Sequence, residues 1–317
     1  MAVLGIDISK SDFHACLIDE NRIGRRSFPN SQTGFSQLSK WLTNRKVVTV
    51  FACMEATGFY WEALALYLFE AGHEVSVVNP SRTKAYANSE ILRAKTDSID
   101  AAMIARFAQA QRPPLWQPPA PESRVLQALV RHLEHLKTIH GQQVVRLETP
   151  GLPLQVTASI EAVIADLRRE ITEIERAIRD HIDRHPGLKV RHDLLTSIKG
   201  IGDTTASLIL AELPALDRLR STKAVAAYAG LSPRALQSGT SIRGRGSICR
   251  TGNSRLRKAF FYPALTAIRY NPQLKAFADR LTLAGKPRMV VVTAVMRKLL
   301  VLAYAVLKSG RQFDPSF

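Results

Sequence analysis

"AVLGIDISKSDFHACLIDENRIGRRSF", Ala2 to Phe28, decides how the chain begins to fold. Three short apolar runs stand in it, Ala2 to Ile8, Phe13 to Ile18 and Ile23 to Phe28. Polar turns at Ser9-Lys10-Ser11 and Glu20-Asn21 separate them. Runs of this length, rich in branched and aromatic residues and bounded by turn formers, read as strands. The polar turns would join three successive strands. Asp7 stands out, because it follows four apolar residues and a glycine and is expected at the centre of the first strand. A carboxylate is costly to bury there unless a cation pairs with it.

Outward from this stretch, Gly34 to Leu42 is helical in character and "VVTVFACM", Val47 to Met54, is a continuous apolar run of buried-strand length. Phe59 to Glu70 reads as a helix, Glu74 to Val78 as a strand, and a last helix follows Thr96. Three strands, then helix, strand, helix, strand, helix is the order of an RNase H-like α/β fold. In such a sheet strands one and four are neighbours. Asp7 would then lie near Glu55, in "MEATG" just past the fourth strand. The final helix, "KTDSIDAAMIARFA", brings Asp97 and Asp100, three apart and so on one side. Four converging carboxylates repel one another unless divalent metal sits between them, and hard oxygen ligands favour Mg²⁺. Two such ions would stabilise attacking and leaving oxygens in phosphoryl transfer. Each acid also has a plainer reading. Asp97 could be an N-cap, Asp100 a first-turn acid serving the helix dipole, and Glu55 a solvated loop acid.

"RPPLWQPPAPES", Arg112 to Ser123, carries five prolines and is expected to be a linker. Beyond it Leu126, Leu129, Leu133 and Leu136 keep helical spacing, and "TPGLP" is a turn. Ile160, Ile164, Leu167, Ile171, Ile174 and Ile178 then form a heptad seam. Either an antiparallel helical hairpin or a dimerising coiled coil satisfies it. From about Leu188 the chain reads as helical and basic. The expected organisation is therefore an α/β domain over 1–111, a Pro-rich linker with coiled-coil helices over 112–187, and a mostly α domain over 188–317. The apolar run from Met289 to Leu307 is interrupted by Arg297-Lys298 and reads as a buried helix rather than a membrane span.

The formal net charge is +17 over 317 residues, and it is uneven. From Arg218 to Lys275 there are twelve lysines and arginines and no carboxylate. Such a balance points to a polyanion, nucleic acid first. Cys16, Cys53 and Cys249 are widely spaced with no CxxC pair, which argues against a disulfide framework or zinc site and fits a reducing cytoplasm. "MAVLGIDISK" has no basic region followed by an apolar one, so no signal peptide is expected.

Two features of the basic half bear on chemistry. Gly200-Ile201-Gly202 between two apolar segments resembles a helix-hairpin-helix, whose free backbone amides bind phosphate; a tight turn between packed helices is the alternative. "QSGTSIRGRGSICRTGNSRLRK", Gln237 to Lys258, mixes hydroxyls, glycines and bases without an acid. A serine there could be a nucleophile, while Arg243, Arg245, Arg250, Arg255, Arg257 and Lys258 hold a phosphodiester. The same residues would equally make a plain basic binding loop.

Taken together, "GIDISK", "MEATG", "KTDSIDA", the glycine hairpin, "GLSPRALQSGTSIRGRG" and "GNSRLRKAF" resemble the insertion-sequence transposases with an N-terminal DEDD domain, relatives of the pilin-gene-inverting recombinases. The resemblance covers almost the whole chain. It implies a RuvC-like domain with the tetrad Asp7, Glu55, Asp97 and Asp100, binding Mg²⁺ or Mn²⁺. It implies a C-terminal domain whose nucleophile is Ser238, with Ser241 as the alternative and Arg234 among the nucleic-acid contacts. It further implies DNA recombination through a serine–DNA intermediate, a structured guide (bridge) RNA, and a dimer or tetramer acting on element ends and target. A hydrolytic nuclease using the tetrad alone, or a non-catalytic nucleic-acid-binding protein, would share many of these residues.

Overall fold

The computed structural model describes residues 1–20, 22–89, 97–213, 219, 221–234, 237–238, 242–243, 247–249 and 251–314. At 97–99, 234, 237–238 and 242–243 it describes the backbone. The chain divides into two compact units, Met1–Pro118 and Pro119–Phe317.

The first unit is built on a five-stranded sheet with strand order β3-β2-β1-β4-β5. Its strands are β1 (Ala2–Ile8), β2 (Asp12–Asp19), β3 (Arg22–Pro29), β4 (Val50–Glu55) and β5 (Glu74–Val78). The first three pair antiparallel, and β4 and β5 add in parallel. This is the RNase H-like order. The parallel crossovers require helices. They are α1 (Gln32–Thr43), capped by the Ser31 side chain, and α2 (Glu62–Glu70). β4 begins three residues later than the apolar run suggested, leaving Val48 exposed.

Alternation along the strands sorts the core into two layers. Leu4, Ile6, Ala52 and Met54 pack with Phe35, Leu38, Leu64 and Leu68 of α1 and α2. Val3, Phe51, Cys53 and Val78 face the other way, onto Met103, Ile104 and Phe107 of α4 (Asp97–Gln111). Gly5 is the close point of that second layer. A Cβ built on it would lie 2.3 Å from both the Ala101 carbonyl oxygen and the Ala105 amide nitrogen.

Two expectations change here. Residues 80–89 form a helix, α3 (Pro80–Ser89), that no apolar periodicity announced; Pro80 begins it, where a missing N–H costs nothing. The proline-rich segment is not a free linker. The Trp116 amide donates to the Val75 carbonyl at 2.6 Å and the Ser76 hydroxyl to the Pro114 carbonyl at 2.9 Å, so its first half runs along β5. The Trp116 ring packs edge-on against Trp61 and Phe69. Its second half starts α5 (Pro121–Leu147), with Pro121 in the first turn.

In the second unit α5 and α6 (Leu154–Arg184) form a hairpin joined by the Thr149–Pro153 turn. Ile160, Ile164 and Ile178 are buried in it, and Ile171 and Ile174 pack on the core that holds Leu126, Val130 and Leu133. The heptad seam is thus occupied within the chain by α5, which answers it more simply than a second subunit. Lys137 and Glu175 bridge the two helices at 2.7 Å.

Shorter helices complete this unit: α7 (Pro186–Thr196), α8 (Asp203–Glu212), α9 (Thr222–Tyr228), α10 (Ser254–Ala259), α11 (Phe261–Tyr270) and α12 (Pro272–Leu283). Of these, α7, α9, α11 and α12 pack on α13 (Arg288–Ser309), whose Val295, Leu299, Leu300 and Ala303 are fully enclosed. Among the described residues α13 alone is long and apolar enough to cross a membrane, and it is a core helix here.

Candidate active site

The acids of the first unit are arranged by register. Gly5 pairs with Cys53 and Ile6 with Met54 across the parallel β1–β4 ladder, so the next residues along are Asp7 and Glu55. Asp7 shares the face of Val3 and Gly5, and Glu55 the face of Cys53, because side chains repeat every two residues. Both therefore lie on the α4 side, at the carboxyl ends of their strands; Asp7 is not central in β1 but next to its last residue. The helix runs back over the sheet, with Ala101 and Ala105 against Gly5 and Ile104 and Phe107 in the layer of Val3. Its first turn, with Asp100 and the backbone of Asp97, accordingly starts at the acidic end. Asp7, Glu55 and Asp100 are all half-buried.

Thr83 of α3 was not anticipated. It is fully buried, and its hydroxyl lies 2.5 Å from Glu55 Oε1 and 2.9 Å from the Pro80 carbonyl. A threonine in a weakly amphipathic segment carries no sequence signal of such a role; only the fold of α3 over β4 creates it. Among the described residues no three acid, imidazole or thiol groups form a metal-sized cluster. The donors present are carboxylates and a hydroxyl, and such hard oxygen ligands suit a divalent cation of the magnesium class.

Cys53, one step before the acidic edge, reports on that face. Burial pushes its thiol up to about 12, the Glu55 charge adds to the rise, and Arg82 opposes it. The thiolate is the reactive form. Iodoacetamide at pH 8 is therefore expected to leave Cys53 untouched in the folded protein and to modify the partly exposed Cys249 first. Peptide mass spectrometry reads this directly, and rapid native-state labelling of Cys53 would contradict the packed α4 face.

In the second unit, the segment between α9 and α10 is an antiparallel excursion. The Asn253 amide donates to the Tyr228 carbonyl and the Cys249 amide to the Ser232 carbonyl, both at 2.7 Å. Pro233 then pairs with Ile248, Arg234 with Ser247, Gln237 with Arg243 and Ser238 with Ile242. Ser238 thus belongs to the outer ladder of a hairpin, with Arg243 on its partner strand. Ser241, Arg245 and Arg250 lie outside the described residues. Gly252, at φ +151°, closes the base. A Cβ there would come within 2.5 Å of the Tyr228 carbonyl oxygen.

The expected phosphate contacts divide. Lys258 is exposed. Arg255 reaches Glu134 at 3.5 Å and Glu212 at 3.6 Å, and Arg257 donates to the Ala229 carbonyl at 3.0 Å, so both brace the hairpin's surroundings. Gly200, at φ +112°, seats the turn between α7 and α8 on α11, where a Cβ would lie 2.8 Å from that of Ala267. Gly202 precedes α8 with open space around it, and Asp203 stands in that helix's first turn.

Comparison with known proteins accounts for both units. Residues 4–149 match the transposase family DEDD_Tnp_IS110, and residues 192–279 match the "Transposase IS116/IS110/IS902 family". The chain is 38% identical over 317 residues to the pilin gene-inverting protein of Moraxella lacunata, covering 98% of this chain and 97% of that protein. Its counterpart in Moraxella bovis is equally similar. The transposase for insertion sequence element IS1328 of Yersinia enterocolitica is 25% identical over 99% of both chains. The DEDD family to which the acidic domain belongs implies a divalent cation. Similarity at 38% identity over almost the full length to a gene-inverting protein, with family matches in both units, means that this chain is an enzyme of the IS116/IS110/IS902 transposase family.

Proposed function

We propose that the chain cuts and rejoins DNA strands through a covalent bond to Ser238. Asp7, Glu55, Asp97 and Asp100 would hold magnesium, or manganese in its place. The observation that supports this best is the shared α4-side face of Asp7 and Glu55 at the carboxyl ends of adjacent strands. A bound cation of this class would stabilise charge on the phosphoryl oxygens.

The remaining work falls to the chain's own groups. Ser238 Oγ attacks phosphorus and forms a serine–phosphate ester, while the bond from phosphorus to one deoxyribose oxygen breaks. The serine proton passes to a base, and the departing oxygen takes up a proton. A strand hydroxyl then attacks the phosphoserine, which releases Ser238 and reseals a strand. The number of phosphodiester bonds is conserved, so no external energy source is needed. Arg234, Ser241, Arg243, Arg245, Arg250 and Lys258 would contact phosphates, with Gly200 and Gly202 presenting backbone amides. The family resemblance implies a structured guide RNA beside the DNA, the +17 charge would suit either polyanion, and strand exchange at two ends calls for a dimer or tetramer.

Ser238→Ala is the direct test. It is expected to abolish protein–DNA adducts, seen as slow-migrating labelled protein on denaturing gels, while DNA binding by gel shift persists. Adducts at the wild-type level would remove Ser238 from the reaction. Strand cleavage by the alanine variant without an adduct would point instead to water as nucleophile, the junction-nuclease reading.

A further inference from the structure

Glu212, the last residue of α8, is only 5% exposed, in a region otherwise dominated by bases. Burying a carboxylate is strongly unfavourable unless it is paired and hydrogen-bonded. Here it is both. Arg131 of α5 donates through Nε at 2.8 Å to Oε1, and Asn253 through Nδ2 at 2.8 Å to Oε2. Arg255 stands 3.6 Å from Oε1. The Glu212 backbone carbonyl accepts from the Tyr228 hydroxyl at 3.1 Å.

These partners share one property. Tyr228 ends α9 and Asn253 caps α10, accepting the Leu256 amide through Oδ1 at 3.0 Å. They are the two points from which the Ser238 hairpin departs and to which it returns. Their own backbones are joined by the Asn253–Tyr228 bond, with Gly252 pressed against Tyr228. One buried acid therefore touches both stems of the hairpin from beneath, and Arg131 ties that acid to the long α5–α6 hairpin.

Stability alone does not call for this arrangement, since an apolar side chain of similar size often serves as well or better than a buried ion pair. What a charged, directional cluster adds is a single geometry. We propose that Glu212 is a positioning residue: its carboxylate, held by Arg131 and Asn253, fixes the base of the hairpin so that Ser238 is presented to phosphorus in one orientation. The proposal rests on Ser238 as the nucleophile.

The test uses full-length protein and labelled duplex taken from the DNA flanking its own coding sequence, with RNA transcribed from the same segment. Glu212→Gln keeps the shape and an acceptor for Asn253 but removes the charge. At saturating DNA it is expected to slow adduct formation by about 100-fold, the cost of a misplacement of order 1 Å, with DNA affinity unchanged. Asn253→Asp sets two carboxylates against each other and is expected to be as slow. The double variant Glu212→Gln/Asn253→Asp restores one negative charge and a hydrogen bond of reversed polarity, and is expected to recover most of the rate.

A wild-type rate in folded Glu212→Gln would overturn the proposal. So would a rate that falls only in step with DNA affinity or melting temperature. If the single variants do not fold, a double variant that folds and stays slow overturns it too. Ser238→Ala, run alongside, separates the two readings. If its adducts persist, the serine assignment falls; if they vanish while Glu212→Gln reacts normally, only the role of Glu212 falls.

Discussion

On the proposed metal-binding role of Asp7, Asp7→Asn is expected to lower DNA strand cleavage by about 10³-fold or more, because losing an anionic metal ligand would forfeit several kcal/mol of transition-state stabilisation. Asparagine matches aspartate in size, and β1 is held by backbone pairing to β2 and β4 that the exchange leaves intact. The half-buried carboxylate stands on the same face as Glu55, and like charges brought together oppose one another. The melting temperature of each protein in metal-free buffer is the reference for its own response to metal. The signature is a contrast. Millimolar magnesium should raise the melting temperature of the wild type, since a ligand that binds only the folded form stabilises it. The variant should show a much smaller rise. DNA binding should persist, because the acid-free basic segment lies in the other unit. Cleavage by Asp7→Asn at the wild-type rate, with an unchanged response to magnesium, would exclude the acidic edge as the metal-bearing site.

Gly5→Ala is expected to be a severely damaging single methyl group at the layer between the sheet and α4. The new Cβ would stand 2.3 Å from the Ala101 carbonyl oxygen and the Ala105 amide nitrogen, and 2.7 Å from Ala105 Cα. All three are backbone atoms of α4, so no rotamer change relieves the clash. Either the helix lifts from the sheet by roughly an ångström or the layer of Val3, Cys53, Ile104 and Phe107 opens. Overpacking of this kind costs about 3 kcal/mol or more. In a unit of this size that is a fall of about 10 °C or more in melting temperature. Function should fail before the fold does. Asp100 rides on the displaced helix, so cleavage is expected to be lost at temperatures where circular dichroism still shows folded protein. A variant with wild-type stability would mean that α4 does not approach β1 as closely as described.

The two substitutions mark a boundary in what the chain displays. Strands β1, β2, β3 and β5, the helical spacing of α1 and α4 and the burial of α13 are written in short-range pattern. Alternation of period two and apolar spacing near four are local properties, and any observer of the sequence meets them. Asp7 is conspicuous for the same reason: an acid behind Ala2, Val3, Leu4 and Ile6 breaks its own pattern. The excess of bases from Arg218 to Lys275 needs no fold to be visible. Helix α3 escaped because "PSRTKAYANS" buries only Thr83 and so has almost no periodicity to read.

By itself, then, the sequence determined the order of the first unit's strands and main helices (though not α3), the charge that draws nucleic acid, and the candidate acids and hydroxyls one by one. Tertiary structure decided which of them meet. It set Asp7 beside Glu55 by the parallel register of β1 and β4, turned Thr83 onto Glu55, and laid the proline-rich segment along β5. It gave the isoleucine seam of α6 to α5 and put Glu212 under both stems of the Ser238 hairpin. The reason is physical. A propensity belongs to a few adjacent residues, whereas a partner is chosen by burial and pairing energies summed over segments far apart in the chain.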